Sequence, residues 1–138
     1  MAQKDIGYLI KNINDKMKAK ADADLKNYGL TLAQSRVLAF LNSCNGETTQ
    51  KEIEVFLEVS HPTVVGVVSR MEKNGYLKCR PSVDGRNKVV CVTDKAKEIA
   101  ADMEKSIRDN ERNLLRSLSI QDQKHLQDML LTILKDLD

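Results

Sequence analysis

At 138 residues, 41% hydrophobic and 30% charged, the chain has the composition of a soluble globular protein and one domain's length, too short for a domain plus a separate catalytic unit. Its apolar runs, such as Val64-Val65 and Met129-Leu130-Leu131, are too short to span a bilayer, and no signal peptide or membrane partner is expected. Net charge is +2, and three cysteines without a CxxC pair fit a reducing compartment, so the expected location is the cytoplasm.

Ile6, Leu9, Ile10, Ile13, Met17, Ala21, Leu25 and Tyr28 recur at steps of three and four, which predicts a long amphipathic helix ending near Gly29. Thr31 with Gln34 has the spacing of a capping box for a second helix, carrying Val37, Leu38 and Leu41 and ending around Asn45-Gly46. Thr49 with Glu52 repeats the device for a short third helix with Ile53, Phe56 and Leu57.

Ser60 is a good cap for a fourth, longer helix, and Pro62 lies early enough that its missing N–H costs little. Val64, Val67, Val68 and Met71 form its expected buried face, leaving His61, Thr63, Val65, Gly66 and Arg70 for the exposed side. Gly75 ends this helix as a left-handed cap, and Leu77 opens a hairpin whose return strand, Lys88 to Val92, is rich in β-branched residues. Asp84-Gly85-Arg86 forms the tip. Helix, turn, longer helix and basic hairpin in unbroken order predict a winged helix-turn-helix.

After the hairpin, Ala96, Ile99, Ala100, Met103, Ile107, Leu114 and Leu118 mark another long helix. Ser119 and Asp122 restart the chain into a sixth, where Leu126, Met129, Leu130, Ile133, Leu134 and Leu137 form a broad apolar stripe. The first and last helices therefore each carry an apolar stripe with little sequence to cover both. A homodimer covers them, through Ile6, Leu9, Ile13, Leu126, Leu130, Ile133 and Leu137.

Between Ser60 and Lys95 the chain holds seven basic and three acidic residues, a local +4, while the remainder is −2. A positive face on a nearly neutral protein suits the phosphates of double-stranded DNA. In a dimer, two such helices reach successive major grooves when about 34 Å apart. The expected DNA-binding set is Ser60, His61, Pro62, Thr63, Val65, Gly66, Arg70, Arg80, Asp84, Arg86 and Lys88. His61 and Thr63 can bond base edges or phosphates, and Val65 can touch a thymine methyl. Gly66 either lets the helix lie close to the groove or permits close packing within the protein. Arg86 is placed to enter a minor groove, with Asp84 expected to hold its guanidinium by a salt bridge.

Enzymatic readings find no support in the residues. The two histidines, His61 and His125, form no metal-ligand pattern, and no GxGxxG, P-loop or nucleophile-elbow motif occurs, so no metal or cofactor is expected. If Leu77 and Val92 share the buried face of the hairpin, Cys79 and Cys91 point to opposite faces and do not form a disulfide. Aromatic side chains are few, and the expected site for a small aromatic ligand lies near Tyr28 and Phe40, with a ligand-free regulator as the alternative.

The run SHPTVVGVVSRMEKNGYLKCR followed by DGRNKVVCVT resembles the MarR family of regulators, whose hairpin shows Asp-x-Arg and then an apolar-Thr pair; Asp84, Arg86, Val92 and Thr93 match it. The helix order matches across nearly the whole chain. The resemblance implies a mainly α, six-helix subunit with a β-hairpin wing, paired through its first, fifth and sixth helices. It also implies binding to pseudo-palindromic operators, commonly as a repressor relieved by a ligand or oxidant. The chain departs from the pattern at Thr93-Asp94-Lys95-Ala96, where many members have Gly shortly after the Thr, and at Asn87, where many have a second Arg. The second departure implies a weaker wing contact. Residues 1–138 then form one domain, with a DNA-binding lobe at 30–95 and a dimerisation lobe from 1–29 and 96–138. Two other readings stay open: a winged-helix module that binds protein, and a thiol-based redox sensor, although redox-sensing relatives usually carry the reactive Cys in the first helix, where this chain has none. The basic tip with Arg86 favours DNA.

Overall fold

The computed structural model describes residues 3–137, so the outer limits of the expected domain, at 1 and 138, lie outside the described residues. Helix α1 spans Ile6–Leu25 and runs into a 3-10 turn, Lys26–Tyr28, closed by Gly29 in the left-handed conformation at φ 66°. Then follow α2 (Leu32–Ser43), β1 (Glu47–Thr49), α3 (Gln50–Leu57), α4 (His61–Lys73), β2 (Leu77–Pro81), β3 (Lys88–Val92), α5 (Asp94–Leu115) and α6 (Ile120–Lys135).

Helix starts follow the side-chain caps. Asp5, Thr31, Thr49, Ser60, Thr93 and Ser119 each accept a hydrogen bond from the backbone N–H three residues on, and such a cap contributes about 1 kcal/mol. Thr31 and Gln34 complete a reciprocal capping box. At Thr49 only half of the expected box forms, because the Glu52 carboxylate turns to the Thr48 hydroxyl.

The sheet has three strands, not two. Its order is β1-β3-β2, all antiparallel, with Glu47 opposite Cys91, Thr48 opposite Val90 and Thr49 opposite Val89. β3 is therefore central, which accounts for its run of apolar residues. Thr49 ends β1 and also caps α3, so the sheet joins the helix-turn-helix without a linker.

One core connects these pieces. Leu38 and Leu41 of α2, Ile53 of α3, Val64, Val68 and Met71 of α4, Leu77 and Val90 of the sheet and Met103 of α5 are all buried. α1 packs against α5 and α2, with Asp22 accepting from Leu32 N at 3.2 Å and Asp24 accepting from Asn110 Nδ2 at 3.1 Å. α1 buries only Ala21 and Leu25, and α6 buries nothing. Two boundaries differ from expectation: α5 stops at Leu115, leaving Leu118 in the turn, and Leu137 lies past the end of α6. Gln123 makes that corner by donating to the carbonyls of Leu115 and Leu118.

Candidate nucleic-acid interface

The turn between α3 and α4 places Glu58 in the left-handed region at φ 54° before Ser60 starts the next helix. Ser60 accepts from Thr63 N, and the two hydroxyls lie 2.8 Å apart, so the first turn is locked on its own side chains. Val64, Val68 and Met71 point into the core, while His61, Pro62, Thr63, Val65 and Arg70 are exposed together along one side. A Cβ at Gly66 would meet nothing within 4 Å. Packing among the described residues therefore gives no reason for a glycine there.

His61 is not free-standing. Its Nδ1 lies 2.6 Å from Oε1 of Glu54, on the preceding helix. The sequence alone gives no sign of this pairing, because only the crossing of α3 and α4 brings positions seven apart into contact.

The wing is set by its register: Leu77 opposite Val92, Cys79 opposite Val90 and Arg80 opposite Val89. Its tip, residues 82–87, is tied by Ser82 N donating to Asn87 O at 2.8 Å and Gly85 N donating to Ser82 O at 2.9 Å, with Gly85 at φ 71°. Asp84 was expected to hold the Arg86 guanidinium. Instead its carboxylate accepts from the Ser82 hydroxyl and from the backbone N–H of Arg86, and those bonds, the Ser82 one foremost, hold it below the usual carboxylate range. Asp84 thus shapes the turn, and the Arg86 side chain has no ion-pair partner among the described residues. Val83 beside it is fully exposed, a tip residue the sequence reading did not single out.

Arg80 and Lys88 are also exposed on the wing. Arg80 is engaged, its Nη1 lying 3.0 Å from Glu47 Oε2 and 2.8 Å from Cys91 Sγ. The Arg80 guanidinium holds Glu47 below the ordinary carboxylate range. Cys79 and Cys91 face opposite sides of the sheet as free thiols. Burial pushes the Cys79 thiol up to about 11 and raises Cys91 as well, with the Glu47 carboxylate adding to the second shift.

Behind the interface, the Tyr76 hydroxyl donates to Tyr28 O, and Lys95 Nζ sits 4.4 Å from the Tyr76 ring centroid while donating to Asn74 O at 2.8 Å. These bonds tie the end of α4 to α1 and α5. Phe40 stacks on Phe56 at 4.2 Å, and both Tyr28 and Phe40 pack against the core. A cavity of about 540 Å³ lies between α1, α2 and α5, with Lys16, Lys20, Arg36, Arg116 and one acid, Glu111, around apolar Met17 and Leu114. On the far side, Ile6, Leu9, Ile13, Leu130, Ile133 and Leu137 are exposed, and Leu126 is half-buried.

The sequence profile of the MarR family matches residues 28–86. An uncharacterized HTH-type transcriptional regulator of Bacillus subtilis, YwoH, is 37% identical over 94 residues, covering 66% of this chain and 68% of that protein. A probable transcriptional regulator from Pseudomonas aeruginosa superposes with a TM-score of 0.85 at 25% identity, covering 94% of this chain and 97% of that one. The S. aureus MepR–DNA complex gives a TM-score of 0.91 at 23% identity over 98% of this chain and 100% of that one, a likeness of fold. A mutant MarR from E. coli complexed with operator DNA gives 0.85 at 22% over 94% and 93%, again a likeness of fold. A profile match that takes in the helix-turn-helix and the wing tip, a relative at this identity and a fold shared along nearly the whole chain place the protein in the MarR family of transcriptional regulators.

Proposed function

We propose that this protein is a cytoplasmic, homodimeric repressor that binds a pseudo-palindromic operator. In this reading α4 enters the major groove and the wing tip reaches the flanking minor groove. The observation that carries it is the exposure both of the first-turn side chains of α4 and of Arg86, which has no ion-pair partner among the described residues, on a basic hairpin. Residues 30–95 act as the reading lobe, and the helices on either side as the pairing lobe. The exposed apolar faces of α1 and α6 suit a second copy, since a lone subunit would leave them in water.

Of the expected DNA-binding set, His61, Thr63, Val65, Gly66 and Arg70 face outward along α4, with Ser60 and Pro62 shaping its start. Arg86 and Lys88 supply wing charge, Asp84 builds the turn, and Arg80 reaches phosphate only by leaving Glu47. Four cations against the single carboxylate of Glu111, around an apolar floor between α1, α2 and α5, suit a small aromatic acid, which moves the proposed ligand site away from Tyr28 and Phe40.

The test is anisotropy with an operator selected from a random pool, repeated across salt concentrations. Tight, steeply salt-dependent binding is expected, and Arg86→Ala is expected to weaken it while lowering the log–log salt slope by about 0.9, the value of one lost phosphate contact. An unchanged affinity in the folded variant would remove the wing from the interface.

A further inference from the structure

The contact between Glu54 and His61 constrains more than the position of a side chain. Glu54 is a carboxylate with a side chain only 18% exposed, reaching from α3 to the first residue of α4, while the His61 side chain is 68% exposed. A carboxylate is an acceptor only, so a 2.6 Å contact with Nδ1 requires the proton on Nδ1. In the neutral imidazole the other nitrogen, Nε2, then carries a lone pair and no hydrogen. Glu54 also lies at the positive end of the α4 dipole, which favours a carboxylate there.

We propose that Glu54 is a positioning residue that fixes the hydrogen-bonding character of His61, so that the first turn of α4 selects a base carrying an amino donor. This rests on the DNA-binding reading above. A neutral His61 held in this way cannot donate to a phosphate oxygen, which has no hydrogen to offer Nε2. It can accept from the donors that the major groove displays, N6 of adenine or N4 of cytosine. Guanine and thymine present acceptors at the corresponding edge and leave Nε2 unsatisfied. His61 thereby reads sequence, although a histidine at the edge of such a helix has the reach of a phosphate contact.

Two measurements on the full chain test this. The first is the ¹⁵N spectrum of the imidazoles at about pH 8.5, above the ordinary histidine titration. The chain has two histidines, so His61→Ala identifies the signal by its disappearance. Nδ1 is expected to carry the proton in the wild type and to lose that preference in Glu54→Met. An Nε2-protonated tautomer in the wild type overturns the assignment. The second is selection from a random DNA pool by the wild type and by Glu54→Met. The wild type is expected to prefer adenine or cytosine by about tenfold at one position of each half-site, the lower range of a direct base contact. In Glu54→Met that preference should fall to about twofold or less, with the other positions unchanged. A folded Glu54→Met with the full preference overturns the proposal. If that variant fails to fold, the exposed His61→Ala carries the same selection and the same two outcomes. A wild type that enriches no sequence defeats the DNA reading itself, and the assignment with it, whichever tautomer the imidazole shows.

Discussion

Gly66 sits inside a helix, where glycine is disfavoured by about 1 kcal/mol relative to alanine, and nothing in the subunit occupies the space its side chain would fill. Gly66→Ala should therefore raise the melting temperature while weakening operator binding, by adding a methyl group to the face proposed to enter the groove. Thermal denaturation and anisotropy on the same sample decide it, and an alanine variant that is more stable and binds equally well would return Gly66 to an ordinary surface position. The cysteines make a second residue-scale expectation. With Cys79 near 11 and Cys91 also raised, the thiolate fraction at neutral pH is very small, and both should alkylate slowly in the folded protein. Rapid, site-resolved modification of either by mass spectrometry would reopen the redox reading. Asp84 shows where residue-scale inference from sequence ends. The Asp-Gly turn was legible, but whether the carboxylate met the guanidinium or the backbone N–H of Arg86 depended on Ser82 closing the loop from the other side.

The helices were legible from the period of their apolar residues, and four of them also from the cap that starts them. Ser60 and Ser119 mark α4 and α6 to the residue. β1 was not legible, since Glu47-Thr48-Thr49 is too short to show alternation and is a strand only by virtue of its pairing with β3. The crossing that joins Glu54 to His61 was hidden for the same reason: it is a tertiary contact between two elements that were each read correctly. α6 supplies the element-scale prediction. It has no buried residue, and Ile133 is exposed on the subunit, so Ile133→Glu should leave the fold of a single subunit nearly unchanged. In the proposed dimer it places a charge in the apolar face, and sedimentation should report monomers or loss of soluble protein. A soluble, fully dimeric Ile133→Glu protein would move the interface elsewhere.

At the scale of the whole molecule, the cavity between α1, α2 and α5 lies where the proposed pairing helices meet the proposed reading lobe. A ligand there would act by favouring one arrangement of lobe and helices, and one that bound both equally would shift nothing. Aromatic acids that raise the melting temperature should therefore release operator and change the distance between the two α4 helices, as read by paired spin labels. Release without a change in that distance would refute a spacing mechanism. The joint at Thr49 has a further consequence. Because one residue both ends a strand of the sheet and caps the helix before α4, the proposed major-groove and minor-groove contacts of a half-site would behave as the two jaws of a fixed caliper. Operators can then differ freely in the bases between the jaws, but not in their number: one inserted base pair displaces a jaw by about 3.4 Å along the duplex. In the proposed dimer the same insertion at the centre of the operator would be borne by the junction between subunits, so half-site length would follow from the fold of one chain and half-site separation from the pairing of two.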